Sequence, residues 1–253
     1  MKFKKSMPVV MTIAGSDSGG GAGIQADLKT FYALGVFGTS AITCLTAQNP
    51  RTITAVHAAG AGMVAAQIDA VCDYFPVAAI KTGMLFNEEI ILAVAAALRR
   101  RRFRHVVIDP VCRSTSGHDL LQKKALRALC EKLLPLATVI TPNAPEAELI
   151  LSRRILTPDD QRAAAEELGR RFGTACVVKG GHLKGRRAVD VLFHSGRLHE
   201  FRLERLGPKL HGTGCVFSAA LAARLALGHE LPRAVGLAKQ YVFRLIQACN
   251  DGV

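Results

Sequence analysis

The run His211-Gly212-Thr213-Gly214-Cys215 places two glycines, a hydroxyl and a thiol where an irregular segment gives way to an apolar helical pattern. The apolar residues from Val216 to Leu227 predict a buried helix that ends near Gly228. Glycines before a helix let the N–H groups at its positive end point at one anion. The run therefore predicts a phosphate-sized anion site, although two glycines alone more often mark an ordinary loop.

Cys215 adds a potential base to this anion site. A thiol at a helix N-terminus is expected to have a lowered pKa, because the positive end of the helix favours the thiolate. The alternative is that Cys215 is only a small residue that packs well at the start of the helix.

A second glycine-rich loop, Gly15–Gly23, lies between an apolar run, Val9–Ala14, and the helical pattern Ile24–Leu34. This order predicts a strand, a loop and a helix. The loop lacks the Gly-x-x-x-x-Gly-Lys-Ser/Thr spacing, and no acidic residue follows at the distance that a dinucleotide fingerprint requires. We expect the loop to bring its backbone against a small ligand.

Strand-like and helical segments alternate through the rest of the chain. Strands are predicted at 38–48, 77–82, 106–109, 139–141 and 175–179, and a hairpin at 189–193 and 198–203. Helices are predicted at roughly 61–73, 88–100, 122–133, 144–150 and 159–171. The alternation predicts an α/β fold with a mainly parallel, doubly wound sheet flanked by helices. Ligands bind at the carboxyl edge of such a sheet, where the sequence places Gly15, Gln48, Met84, Asp109, Thr141 and Lys179.

Length and composition favour one domain over residues 1–253, because no linker or repeat divides the chain. The apolar runs are too short to cross a bilayer, and the start of the chain lacks a signal-peptide pattern. The seven cysteines form no Cys-x-x-Cys pair and indicate neither a disulfide framework nor a structural zinc site. We therefore expect a cytoplasmic protein without a membrane partner.

The net charge of +13 raises the question of nucleic-acid binding. The main basic clusters are Arg99–Arg102 and Arg170-Arg171, and both fall at the ends of predicted helices, where cations are favoured. No aromatic residues are interleaved for base stacking, and no nucleic-acid motif accompanies the charge. We predict a solvated basic surface and no nucleic-acid partner.

Eight motifs in order resemble the hydroxymethylpyrimidine/phosphomethylpyrimidine kinases of thiamine biosynthesis, and the resemblance runs from about residue 9 to 245. They are Ile13–Ser18 with Gly20–Lys29, Thr46–Asn49, Lys81–Leu85, Asp109–Val111, Thr141–Glu146, Lys179–His182 and His211–Cys215. The resemblance implies a ribokinase-like fold. It also implies transfer of the ATP γ-phosphate to 4-amino-5-hydroxymethyl-2-methylpyrimidine and then to its monophosphate.

The resemblance assigns roles to individual residues. It places Gly212, Thr213 and Gly214 at the transferring phosphoryl group, and Cys215 where ribokinase relatives carry an aspartate base. Lys179 would meet the ATP phosphates. The substrate-binding residues would be Gly15, Asp17, Ala22, Gln48, Met84 and Val111, with the Gln48 amide matching the amine and ring nitrogen of an aminopyrimidine.

The resemblance assigns Mg²⁺ to Asp109, Asn143 and Glu146, mainly through water molecules. An ordinary helix cap, with Glu146 in the capping-box position, is the alternative for the last two. We also expect a homodimer. Leu210 and Val216 depart from the family, whose members commonly carry threonines there.

Two further hypotheses stay open. The fold and the thiol position would also suit a pyridoxal/pyridoxine kinase, although the segment Thr46–Asn49 favours the pyrimidine. A non-catalytic pyrimidine-binding regulator is opposed by the presence of Lys179, Asn143, Glu146 and Cys215.

Overall fold

The computed structural model describes residues 7–112, 120–122, 124–183, 185–207 and 211–251. Its strands are β1 (Val9–Asp17), β2 (Phe37–Gln48), β3 (Ile53–Ala58), β4 (Val77–Thr82), β5 (His105–Ile108), β6 (Val139–Ile140), β7 (Ala175–Val178), β8 (Arg187–His194) and β9 (Arg197–Glu204). They form one sheet in the order β3-β2-β1-β4-β5-β6-β7-β8-β9. The strands from β2 to β7 in this order pair in parallel, whereas β3, β8 and β9 pair antiparallel to their neighbours.

Helices cover both faces of the sheet. They are α1 (Gly23–Ala33), α2 (Ala61–Tyr74), α3 (Glu88–Arg101), α4 (Ala125–Ala128), α5 (Ala144–Leu151), α6 (Pro158–Phe172), α7 (Thr213–Ala226) and α8 (Leu231–Asp251). Buried side chains form two clusters, one with α2, α3, α5 and α6 and the other with α1, α7 and α8. Alternation along β1 explains the division, since Met11 and Ile13 belong to the first cluster and Val10 to the second.

The sequence of α3 shows why these helices begin and end where they do. The Asn87 side chain accepts the N–H of Ile90 at the start of the helix, and glutamates occupy the first turn. The arginine run fills the last turn, as expected from the helix dipole. Arg100 and Arg101 also pair with Asp69 on α2. This basic cluster is therefore partly neutralised by neighbouring carboxylates.

The predicted α/β architecture is confirmed, with four differences. β1 continues through Gly15 to Asp17, because Ser16 and Asp17 pair with β2. The edge strand β3 and the bounds of α8 were not predicted. The helix predicted at 122–133 begins at Ala125, and after α4 it continues through a π-helical turn and a 3₁₀ turn that ends at Leu136.

No helix within the described ranges is long and apolar enough to cross a membrane.

Candidate active site

A cavity of about 830 Å³ lies at the carboxyl edge of the sheet, where β1, β2, β4, β5, β6 and β7 end. All the site residues predicted from the sequence line this cavity. They are Gly15, Asp17, Ala22, Gln48, Met84, Asp109, Val111, Asn143, Glu146, Lys179, Gly212, Thr213, Gly214 and Cys215. The fold therefore brings residues from both ends of the chain into one space.

The glycine turn at 212–214 opens α7, as predicted. Gly212 is the N-cap and has a φ of +83°, in the left-handed region that favours glycine. A Cβ atom at this position would lie 1.9 Å from the carbonyl oxygen of Gly21, so the two glycine-rich loops touch here. Because Gly212 has no side chain to cap the helix, the start of α7 has the geometry that helix termini use to bind anions.

The prediction of a lowered thiol pKa at Cys215 is wrong. Burial among protein atoms raises the pKa of this thiol, and the charges of Asp27 and Asp109 add to the increase. The Lys81 ammonium group and the backbone N–H of Gly23 act in the opposite direction. Desolvation therefore outweighs these two groups, and the free protein holds Cys215 mainly as the thiol at neutral pH.

Lys81 and Asp27 form a buried ion pair that the sequence analysis did not assign. The Lys81 ammonium nitrogen lies 2.7 Å from Asp27 Oδ2, and both side chains are fully buried. Thr12 donates its hydroxyl to the same oxygen at 2.6 Å. Lys81 also lines the cavity, and its charge lowers the pKa of Cys215. Lys81 could have been recognised from the sequence, because it is a charged residue within the mainly apolar strand predicted at 77–82.

Lys179 lies against the glycine turn and pairs with Asp109. Its ammonium nitrogen is 2.8 Å from Asp109 Oδ1, and a Cβ atom added at Gly214 would lie 3.4 Å from that nitrogen. The Asp109 carboxylate also accepts the hydroxyls of Thr141 and Ser218. Lys179 is thus a positive charge beside the predicted anion site, where it can meet phosphate oxygens.

Asn143 and Glu146 form the capping box of α5, so the structural alternative is confirmed. Asn143 Oδ1 accepts the N–H of Glu146, and Glu146 Oε2 accepts the N–H of Asn143. Burial raises the pKa of Glu146 to about 7, and Asp109 adds to this increase, whereas Lys179 opposes it. A buried carboxyl with a raised pKa favours a nearby cation, since the cation would stabilise its ionised form.

The donor set suits Mg²⁺ held largely through water. No three histidine, cysteine or acidic side chains in the described ranges lie close enough to enclose a metal ion. Mg²⁺ keeps several of its waters and is commonly bound by one or two carboxylates together with phosphate oxygens. Asp109 and Glu146, with the amide of Asn143, match this pattern.

Gln48 lies at the end of β2 on the opposite side of the cavity. Its backbone is anchored to Ser18, whose hydroxyl lies 2.8 Å from both the N–H and the carbonyl oxygen of Gln48. Its amide oxygen lies 3.2 Å from the Thr46 hydroxyl, and its amide nitrogen lies 3.0 Å from His211 Nε2. The side chain is therefore held by partners on both sides and still lines the cavity.

Asp17 orders the glycine-rich loop between β1 and α1. Its carboxylate accepts the N–H groups of Gly19, Gly21 and Ala22, so the turn is built on one side chain. Gly15 has a packing role, because a Cβ atom there would lie 2.8 Å from Cys44 Sγ. Asp17 and Gly15 thus shape the wall beside Gln48.

The helix α8 supplies a third part of the cavity wall. Lys239 pairs with Asp190 of β8 at 2.8 Å, and Val242, Phe243 and Ile246 line the cavity. None of these residues was predicted from the sequence. The spacing of Val242, Phe243 and Ile246 indicates an apolar face of a helix, but it does not show that this face borders a cavity.

The carboxyl edge of this mainly parallel sheet carries the N-terminus of α7, which can bind a phosphate, together with two lysines and a thiol. These features define the site of a phosphotransferase. The family model for phosphomethylpyrimidine kinase matches residues 17–252, and the chain belongs to this family. It is an enzyme of the kinase type. The chain is 50% identical over 244 residues to the hydroxymethylpyrimidine/phosphomethylpyrimidine kinase of Rhizobium meliloti, covering 96% of this chain and 91% of that protein.

Other relatives show the range of the family. The chain is 46% identical over 247 residues to the thiamine biosynthesis bifunctional protein ThiED of Geobacter sulfurreducens, covering 96% of this chain but only half of that longer protein. The solved phosphomethylpyrimidine kinase of Clostridium difficile has a TM-score of 0.84 at 42% identity, over 94% of this chain and 99% of that one. An ADP complex of Bacillus subtilis pyridoxal kinase has a TM-score of 0.85 at 40% identity, over 93% and 90% of the two chains.

Proposed function

We propose that the protein transfers the γ-phosphate of ATP to the hydroxymethyl group of 4-amino-5-hydroxymethyl-2-methylpyrimidine and then a second phosphate to the monophosphate, as a step of thiamine biosynthesis. The observation that carries the proposal is the placement of the Gln48 amide in the same cavity as Lys179 and the 212–215 turn. An amide offers one donor and one acceptor side by side, as the edge of an aminopyrimidine does. The names of the Rhizobium meliloti and Clostridium difficile relatives support the same substrate.

Different residues of the cavity have different roles in phosphoryl transfer. Lys179 and the start of α7 bind the phosphate oxygens, and Gln48 orients the ring. The thiolate form of Cys215 takes the hydroxymethyl proton and becomes the thiol, as the substrate oxygen bonds to the γ-phosphorus and the bond to ADP breaks. The raised pKa of Cys215 is compatible with this role, because phosphoryl transfer asks little of the base until late in the reaction. The positive charge of Lys81 favours the thiolate that must be present before the proton is transferred.

Mg²⁺ belongs to the proposal, with Asp109, Asn143 and Glu146 as the residues that would hold it. Bound there, the ion would neutralise charge on the phosphates. The capping role of Asn143 and Glu146 does not conflict with this, since each side chain has acceptor capacity beyond the capping bond.

The proposal also covers the domain organisation, the localisation and the oligomeric state of the protein. We take residues 1–253 as one kinase domain, which the single continuous sheet supports. The seven free cysteines and the use of ATP suit a reducing cytoplasm. A homodimer stays a prediction, to be checked by sedimentation at several protein concentrations.

The direct test measures ADP release with the hydroxymethylpyrimidine, its monophosphate and pyridoxal side by side. We expect turnover of both pyrimidines. Gln48→Leu keeps the volume but removes both polar groups, which should weaken pyrimidine binding by about 1–3 kcal/mol and raise KM accordingly. The matched control is Gln247→Leu, an exposed glutamine on α8 outside the cavity. Unchanged kcat and KM in Gln48→Leu would show that another group recognises the ring.

Pyridoxal phosphorylation is the second candidate activity. It is favoured by the similarity to Bacillus subtilis pyridoxal kinase, whose fold covers almost the whole chain. The same assay separates the two, because kcat/KM for pyridoxal above that for the pyrimidine would reverse the assignment.

A further inference from the structure

His211, the residue before the glycine turn, lies between the polar groups on the substrate side of the cavity. Its Nε2 atom is 3.0 Å from Gln48 Nε2 and 3.4 Å from Asp17 Oδ2. The ring packs on the backbone of the glycine loop, since a Cβ atom added at Gly21 would lie 3.0 Å from His211 Cδ2. The ring is thus held where its Nε2 atom faces both an amide and a carboxylate.

The proton of the Thr46 hydroxyl constrains the orientation of the Gln48 amide. Thr46 Oγ1 lies 2.9 Å from the carbonyl oxygen of Ser16 and 3.2 Å from Gln48 Oε1. A hydroxyl has one proton, and the carbonyl can only accept, so the closer carbonyl takes it. Thr46 can then only accept from Gln48. This role requires the amide nitrogen, and not the amide oxygen, on the Thr46 side.

The carboxylate of Asp17 leads to the same orientation from the other side. A carboxylate only accepts, so the geometry favours the tautomer of His211 that carries a hydrogen on Nε2. An Nε2–H group can donate to an amide oxygen but opposes an amide N–H. Half a turn about the last bond of Gln48 exchanges the amide oxygen and nitrogen with little change of shape. In this orientation, the Thr46 hydroxyl donates to the carbonyl oxygen of Ser16, the Gln48 amide nitrogen donates to Thr46, and His211 Nε2–H donates to the Gln48 amide oxygen.

We propose that His211 is a positioning residue for substrate specificity, whose Nε2–H group holds the oxygen of the Gln48 amide and so fixes the order of donor and acceptor presented to the ring. The amide oxygen has a second lone pair and the nitrogen a second proton. These remain for the substrate after His211 and Thr46 are paired.

The fixed order selects one kind of ring edge. An aminopyrimidine carries an amine next to a ring nitrogen, and it pairs with both groups of the amide in one orientation only. Pyridoxal has no amine beside its ring nitrogen, so it gains little from the locked amide. This inference rests on the proposed role of Gln48 in reading the pyrimidine.

The test is His211→Phe, which keeps a planar ring against Gly21 and removes the N–H group. KM for the hydroxymethylpyrimidine should rise about tenfold, as expected for one hydrogen bond and the amide orientation that it secures. The kcat should change little. KM or the inhibition constant for pyridoxal should change less than about twofold, because pyridoxal does not depend on the orientation of the amide. His57→Phe, an exposed histidine of β3 outside the cavity, is the matched control.

A double variant separates positioning from packing. In a Gln48→Leu background, His211→Phe should produce no further rise in KM, because its effect passes through the amide. Additive effects of the two substitutions, or equal losses for both ligands, would overturn the inference. The wild-type assay tests the proposed function separately. A wild-type protein that neither binds nor phosphorylates the pyrimidine would refute that function and this inference with it.

Discussion

Replacing Glu146 by glutamine should stabilise the ligand-free protein at neutral and alkaline pH while weakening its response to Mg²⁺. The side chain is buried at the third position of α5, and burial raises its pKa to about 7. Glutamine has nearly the same shape and can still accept the N–H of Asn143, as capping boxes allow. The substitution therefore removes the ionisation and leaves the cap.

The magnitude follows from the two pKa values. The pKa of Glu146 is 4.5 in the unfolded reference and about 7 in the folded protein, so folding favours the protonated form. The stability that this proton confers is fully present below pH 4.5 and is lost as the pH rises through 7. The loss amounts to about 3 kcal/mol by pH 7 to 8. For a chain of this length, Glu146→Gln should melt about 6–12 °C above the wild type at pH 8.

The assay is thermal unfolding at pH 5, 6, 7 and 8, without nucleotide or Mg²⁺. The difference between Glu146→Gln and the wild type should grow with pH, whereas Glu167→Gln, an exposed control on α6, should show a small and constant difference. A variant less stable than the wild type at every pH would refute the burial argument.

The metal dependence of the rate is a second, independent measurement on the same variant. Glu146→Gln should need a higher Mg²⁺ concentration for half-maximal rate, because an amide stabilises a hydrated cation less than a carboxylate does. An unmoved Mg²⁺ dependence would leave Glu146 with the capping role alone.

Two further predictions concern the base and the ion pair behind it. Cys215→Ala should lower kcat by roughly 10²–10⁴-fold with little effect on substrate binding, and Cys215→Asp should recover part of it. The wild-type rate should rise with pH above 8, since the pKa of Cys215 is raised; near-full kcat in Cys215→Ala would assign the thiol to packing. Lys81→Met should cost about 3–5 kcal/mol of stability, because Asp27 is left buried without its partner. It should also slow alkylation of Cys215 by iodoacetamide, and an unchanged alkylation rate would show that the Lys81 charge does not reach the thiol.

The order of strands and helices could be predicted from the sequence because hydrophobic periodicity is local. The strand at 77–82 and the helix at 88–100 were found almost to the residue. The edge strand β3 was missed, since its partly exposed residues alternate weakly and it is defined by pairing with β2. The extension of β1 to Asp17 likewise depends on pairing with β2, which lies far along the chain.

The candidate site divides in the same way. The sequence by itself placed Gln48, Asp109, Lys179 and the glycine turn at 212–214 at one edge, because strand ends and glycine turns are set by neighbouring residues and parallel strands gather their carboxyl ends there. The part of the cavity wall that α8 supplies was not found in this way. Only the tertiary structure decided their charge states and pairings. Cys215 lies in the first turn of α7, as predicted, but its pKa depends on burial and on Lys81, which is distant in sequence. Desolvation and ion pairing depend on which groups share a buried space, and that is known only once the chain has folded.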